Sequence, residues 1–133
     1  MKPPYGVLAA IHLDRGDLLW QVPHGDTPDN IRNNPALEGI TIPRTGQPGL
    51  AGTLVTRTLL IAGETQFSTA NHPRGALLRA YDKATGADAG AVFMNAPQTG
   101  SPMTYMRGGR QYIVVAIAGA GYPAELVAYR LGN

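Results

Sequence analysis

A strand-and-turn unit recurs along this chain, and its recurrence restricts the possible folds more than any other feature. Residues 77–86 read Leu-Leu-Arg-Ala-Tyr-Asp-Lys-Ala-Thr-Gly, in which alternating side chains indicate a strand and Asp-Lys-Ala-Thr-Gly indicates a tight turn. Residues 8–16 have the same layout, and residues 126–132 form a third, shorter copy. The sequence therefore predicts a repeat protein made of short strands and tight turns.

The spacing of the copies identifies the kind of repeat. Leu78 and Leu126 are 48 residues apart, as are Gly52 and Gly100, whereas Leu8 and Leu78 are 70 apart because a Pro-rich insertion separates them. A period near 48 with four short strands per unit is typical of a β-propeller blade, for which roughly 40–50 residues is usual. We predict an all-β partial propeller of about two blades with four-stranded antiparallel sheets. Its expected parts are the end of one blade (5–23), a loop insertion (24–50), a full blade (51–95) and three strands of the last blade (100–131).

The connections between the predicted strands differ in length on the two faces of the propeller. In an up-and-down chain, alternate connections fall on opposite faces, and the two long ones, 24–50 and 64–75, share one face with a loop predicted at 118–123. Loop length concentrated on one face is typical of a binding face. We expect one helical turn near residues 29–33 and no long amphipathic helix.

Composition excludes several classes of protein and site. The net charge is +2 and no run of Lys or Arg occurs, so a nucleic-acid partner is not expected. The chain has no Cys, which excludes disulfides and thiolate metal sites. The longest apolar run, residues 112–120, is far too short to cross a bilayer. The first residues lack the apolar core of a signal peptide, so in an exported protein we expect them not to be its true beginning.

Several motifs resemble one family, the dehydrogenases that use pyrroloquinoline quinone (PQQ). Trp20 in Asp-Leu-Leu-Trp-Gln-Val resembles the docking tryptophan of quinoprotein blades, and residues 82–86 are similar to the Asp-x-x-Thr-Gly turn of that repeat. Residues 102–115 resemble the C-terminal signature of these enzymes. Residues 26–29 and 42–47 are similar to the insertion of the glucose and sugar dehydrogenase branch.

This resemblance implies the C-terminal part of an eight-bladed propeller that oxidises a sugar or alcohol by hydride transfer to PQQ, with calcium polarising the quinone. Ubiquinone or a cytochrome would accept the electrons, in the periplasm or at the periplasmic face of the inner membrane. In this family the catalytic Asp and the main calcium ligands lie in earlier blades. We therefore assign no catalytic residue and no metal ligand to this chain.

Five residues on the predicted binding face are candidates for cofactor contacts. The guanidinium of Arg44 could bind a carboxylate of the quinone through two parallel hydrogen bonds. Glu64 ends a middle strand, where members of the family often have an acidic residue. Gln98 and Thr99 precede an inner strand and could donate hydrogen bonds to a ligand. For each, an ordinary loop or surface role is the alternative. Trp20 is expected to be an anchor between blades, and His12, His24 and His72 lack metal-ligand spacing. The five candidates are Arg44, Thr45, Glu64, Gln98 and Thr99.

Two other interpretations remain open from the sequence. One is a non-enzymatic propeller of the same repeat type that serves as an assembly scaffold, and the other is a small β-barrel or sandwich that binds a ligand. Under the propeller hypothesis the partners of this segment are the remaining blades. Because a partial ring exposes unpaired strand edges, the chain alone is expected to self-associate, to bind no quinone and to be inactive.

Overall fold

The fold consists of three successive antiparallel sheets. The computed structural model describes residues 2–50, 52–130 and 132, so the predicted boundaries at Ala51 and Leu131 lie outside the described residues. The sheets have the orders β1-β2, β3-β4-β5-β6 and β7-β8-β9. Their strands are β1 (Val7–His12), β2 (Asp17–Pro23), β3 (Thr53–Val55), β4 (Leu59–Gly63), β5 (Ala76–Asp82), β6 (Asp88–Met94), β7 (Met103–Arg107), β8 (Arg110–Gly119) and β9 (Tyr122–Arg130).

Within each of the three sheets, the strands pair with their neighbours in sequence, as in the blades of a propeller. The β1-β2 and β5-β6 pairs share the same irregularity, because Ala10 pairs with Trp20 and Ala80 with Gly90, each beside a shift in register. These positions are 70 residues apart in both strands, which is the offset that the sequence repeat shows. The all-β partial propeller is confirmed, and the sandwich alternative is wrong because β1 pairs with β2 rather than with a distant strand.

The Pro-rich insertion between β2 and β3 contains two short helices, α1 (Asp29–Arg32) and a 3₁₀ turn at Pro35–Leu37. Pro28 precedes α1, where its fixed φ and missing N–H carry no cost. The Asn34 side chain caps the 3₁₀ turn by accepting from the Ala36 N–H at 2.9 Å. The helical turn predicted near residues 29–33 is confirmed. Within the described residues, no helix is long and apolar enough to cross a membrane.

The apolar core lies between the four-stranded and three-stranded sheets. Alternate residues of β5 and β8 point into this space, because successive side chains of a strand face opposite ways. They exclude water almost completely: Val115 and Ile117 are each 1% exposed. The buried cluster consists of Ile61, Ala76, Leu78, Met94, Ala96, Ile113, Val115 and Ile117.

The loop predicted at residues 118–123 is wrong. Strand β8 continues to Gly119 and pairs there with Tyr122, the first residue of β9, so only Ala120 and Gly121 form the turn. Gly121 has φ +79°, a left-handed conformation that Gly adopts without a Cβ clash. Tight hairpin turns need such residues, which is why the small Ala-Gly run extends the strands instead of interrupting them.

Candidate functional site

A buried ionic cluster joins the insertion to the four-stranded sheet β3-β4-β5-β6, which we call the central sheet. Glu64, which directly follows β4, is fully buried, and Arg79 in the middle of β5 is 6% exposed. Arg79 donates from Nε to Glu64 Oε1 at 2.9 Å and from a terminal nitrogen to Asp26 Oδ1 at 2.7 Å. Asp26 belongs to the insertion, so the guanidinium of Arg79 holds two distant parts of the chain together.

Backbone donors complete the hydrogen bonding of the Glu64 carboxylate. Oε1 also accepts from the Asp26 N–H and Oε2 accepts from the Leu77 N–H, each at 3.0 Å. A buried carboxylate is tolerated where opposite charge and hydrogen bonds replace its water. Glu64 therefore fixes both the start of the insertion and the start of β5.

Burial and pairing act in opposite directions on the charges of this cluster. Burial raises the pKa of Glu64, against the lowering effect of the Arg79 guanidinium. Burial by itself would lower the pKa of Arg79, but attraction to Glu64 and Asp26 raises it above its ordinary value. Arg79 therefore stays charged.

A buried His24–Tyr81 pair lies on the same side of the sheet. His24 Nε2 is 3.1 Å from the Gly63 carbonyl oxygen, and His24 Nδ1 is 3.0 Å from the Tyr81 hydroxyl. A carbonyl only accepts, so Nε2 carries the proton and Nδ1 accepts from Tyr81. Burial lowers the pKa of His24 and raises the pKa of Tyr81 to about 12. Both groups are neutral, and the histidine lone pair is already occupied, so His24 serves as a satisfied interior residue.

The structure brings Glu64 and Gln98 together. The Gln98 N–H donates to the Glu64 carbonyl oxygen at 2.9 Å, and its side chain accepts from the Gly63 N–H at 2.6 Å. The Gln98 amide also donates to the Gly52 carbonyl oxygen at 2.8 Å. Backbone groups in and beside the central sheet thus hold both the side chain and the backbone of Gln98.

The other three candidates make their hydrogen bonds and ion pairs elsewhere. Thr45 is buried inside the insertion, where its backbone N–H donates to Thr27 Oγ1 at 3.3 Å. Arg44 forms an ion pair with Asp88 at the start of β6. Thr99 is exposed and its N–H donates to the Ala116 carbonyl oxygen. Contact of these residues, and of Glu64 and Gln98, with a cofactor stays a prediction.

Reasoning from the sequence missed Asp26, Arg79 and the His24–Tyr81 pair. One signal was available, because Arg79 and Tyr81 alternate with apolar Leu78 and therefore share the opposite face of β5. The pairing of Arg79 with Asp26, 53 residues earlier in the chain, depends on how the insertion folds back.

The cluster does not fit a calcium ion. Three potential metal-ligand atoms lie within 4.8 Å of one another, one from each of Asp26, Glu64 and His72. Calcium prefers six to eight oxygen ligands, whereas this group offers one imidazole and two carboxylates that Arg79 already binds. The geometry indicates a structural ionic cluster.

The Arg79 guanidinium does not fit a carboxylate of PQQ, because two carboxylates of the chain already bind it. Binding a carboxylate of the quinone would require breaking one of these pairs, which would leave buried charge unpaired. We therefore derive no step of cofactor chemistry from Arg79.

Comparison with known proteins identifies a family and several relatives. Residues 1–113 match the model of the β-propeller domain of PQQ-dependent glucose/ethanol/alcohol dehydrogenases. A probable quinate dehydrogenase (quinone) from Xanthomonas campestris pv. juglandis is 35% identical, and a quinate/shikimate dehydrogenase (quinone) from Acinetobacter baylyi is 31% identical, over 97% and 98% of this chain. A quinoprotein glucose dehydrogenase from Gluconobacter oxydans is 30% identical over 97% of the chain.

The chain spans 16% of the length of each of these three relatives. No solved structure gives a significant match.

Proposed function

Because the chain belongs to the β-propeller family of the PQQ-dependent glucose, ethanol and alcohol dehydrogenases, we propose that it forms part of the propeller of such an enzyme. The match over residues 1–113 is the observation that carries this proposal. The enzyme would oxidise a sugar or another polyhydroxylated alcohol, pass the electrons to ubiquinone or a cytochrome, and work in the periplasm or facing it.

The names of the relatives support the class of substrate. Their names contain quinate, shikimate and glucose, and a further relative is the large subunit of a glycerol dehydrogenase from Gluconobacter oxydans. All four compounds carry hydroxyl groups on neighbouring carbons. We propose an alcohol carbon of such a molecule as the site of oxidation. PQQ held by other blades would supply the hydride acceptor, and calcium would be the partner ion of the quinone.

The contribution of this chain is the rigid placement of loops. Arg79 ties Asp26 of the insertion to Glu64 of the central sheet, and Gln98 ties the connection before β7 to the same point. Two long connections are thereby held at one end of the sheets. We propose that the cofactor and the proton-accepting group are held by blades outside this segment.

The test uses the longest protein that carries this segment, purified and supplied with PQQ and Ca²⁺. Dye reduction is measured with glucose, quinate and glycerol, and we expect turnover with at least one of them that is lost when PQQ is omitted. The control is the 133-residue chain alone, for which we expect neither turnover nor PQQ binding.

Two outcomes would contradict the proposal. Failure of the longer protein to bind PQQ would favour a non-enzymatic propeller scaffold. Turnover by the 133-residue chain alone would show that the site is complete within it.

A further inference from the structure

The two gaps between neighbouring sheets are filled differently at one repeated position. In the first gap Trp20, paired with Ala10, covers the turn of the next sheet, and its Nε1 donates to the Lys83 carbonyl oxygen at 3.0 Å. A Cβ on Gly86 would stand 2.7 Å from this indole, so the ring lies directly on the turn. Trp20 is the only tryptophan of the sequence.

In the second gap the same position is Gly90, paired with Ala80 beside the same register shift. Apart from Gly90 itself and its two chain neighbours, no atom of the described residues lies within 4 Å of where a Cβ of Gly90 would stand. The space that an indole fills in the first gap is therefore open in the second.

This open space is a cleft of about 720 Å³ between the four-stranded and three-stranded sheets, which we call the Gly90 cleft. Ligand sites for small molecules span about 300–1,000 Å³ and are mainly apolar with a few polar groups. The walls of the Gly90 cleft are mainly apolar and come from both sheets. They include Leu59, Ile61, Leu78, Val92, Ile113 and Tyr129.

The polar residues that line the cleft include positively charged ones. Arg57 in the turn between β3 and β4 and Arg130 at the end of β9 line it together with Gln111 at the start of β8. Both arginines are exposed, and neither is ion-paired with any described residue. An apolar cleft bordered by two such guanidinium groups suits a flat apolar body that ends in an anion.

We propose that the Gly90 cleft binds a small planar aromatic molecule that carries a carboxylate. The aromatic ring lies between the sheets at the level that Trp20 occupies in the first gap. The carboxylate faces Arg57 and Arg130. The cleft lies on the opposite face of the central sheet from the Glu64–Arg79–Asp26 cluster, and the proposal does not rest on the dehydrogenase activity.

Three probes separate the two parts of this recognition. Isothermal titration calorimetry of the full chain is carried out with indole-3-acetate, indole and acetate. We expect indole-3-acetate to bind most tightly, indole to bind more weakly and acetate to give no measurable binding. Acetate binding as well as indole-3-acetate, or no binding of either aromatic probe, would overturn the proposal.

Substitutions locate the binding. Val92→Trp places an indole on the face of β6 that lines the cleft, and we expect it to abolish binding of both aromatic probes. Arg57→Ala and Arg130→Ala should each weaken indole-3-acetate by about three- to fivefold, the loss typical of one exposed ion pair, and leave indole unchanged. Arg107→Ala, an exposed arginine outside the cleft, is the matched control and should change neither.

The same variants could also contradict the proposed ligand site. Equal loss for Arg107→Ala and the two cleft arginines would show a general charge effect. Binding that survives in a folded Val92→Trp variant would place the ligand elsewhere. Should Val92→Trp fail to fold, the two arginine variants decide the question alone.

Discussion

The two faces of the central sheet hold their neighbours by different physical means. On one face Ile61 and Leu78 pack against Ile113 and Val115 of the next sheet, in an apolar core. On the other face Arg79 and Tyr81 make charged and polar contacts with Asp26 and His24 of the insertion. A single strand, β5, supplies both, because its side chains alternate between the faces.

The two faces would therefore have different roles: one stabilises the packing of the sheets, and the other fixes the position of the insertion. The apolar face gains free energy roughly in proportion to the area that it buries, and it tolerates rearranged side chains as long as their total volume and pattern are kept. A buried ionic cluster contributes little net free energy, but it demands one geometry, because any other leaves a charge without a partner. The core would thus hold the sheets together, and the cluster would decide where the insertion lies.

Removing the guanidinium is the largest expected perturbation. Arg79→Met leaves Glu64 buried without its partner, and we expect the free energy of unfolding to fall by about 3–5 kcal/mol in urea titrations. The double variant Glu64→Gln/Arg79→Met removes both charges and should lose less than Arg79→Met alone.

The matched control for that change is Arg15→Met. Arg15 forms an exposed ion pair with Asp17, and its loss should alter the free energy of unfolding by about 0.5 kcal/mol or less. Equal losses for Arg79→Met and Arg15→Met would show that burial of the cluster does not govern its energetics.

On the apolar face, Leu78→Ala should have the next largest effect. Leu78 is 4% exposed, and a cavity left in such a core typically costs about 2–4 kcal/mol of unfolding free energy. The position of the insertion should not change, so protection of the Asp26 amide from hydrogen exchange relative to global unfolding should be retained. Leu13→Ala, at a residue 92% exposed, serves as the control and should be nearly neutral. Selective loss of protection at Asp26 in Leu78→Ala would contradict the division between the two faces.

The smallest expected effect is a pH dependence of the polar face. Since burial lowers the pKa of His24 below its ordinary 6.5, the unfolded chain binds a proton more readily than the folded one. The stability that depends on neutral His24 is present above pH 6.5 and is lost as the pH falls from 6.5 through the lower folded-state pKa. Urea titrations from pH 7.5 to 5.0 should show this decline in the wild type.

His24→Gln removes the titrating group and should flatten that part of the profile. His12→Gln, which changes a histidine outside the polar cluster, is the control and should leave the decline in place. A decline of the same size in His24→Gln would assign the effect to other groups.

The fold could be predicted from local patterns to a large extent. Period-two alternation and turn residues such as Asp82 and Gly86 act over a few residues, so the hairpins follow from short-range chemistry. Trp20 and Gly90 are 70 residues apart, which is the offset that separates Leu8 from Leu78 in the sequence repeat. The loop predicted at residues 118–123 failed because the left-handed Gly121 permits a tighter turn than composition suggests.

The candidate site was predicted only in part. Glu64 and Gln98 were found because each adjoins a strand end on the long-loop face, and the structure places them in contact through backbone atoms. Arg79 and Asp26 were missed because their ion pair joins residues 53 apart across an irregular insertion. No periodicity relates two such positions.

By itself the sequence determined that this protein is made of repeated hairpins, because hydrogen-bonded strands and turns depend on neighbouring residues. Tertiary structure decided what lies between the sheets: a buried guanidinium in one gap, an apolar core in the other, and an open cleft where a glycine stands in place of a tryptophan. These features depend on the distance between sheets and on the return path of the insertion. Long-range packing sets both, and no local pattern encodes them.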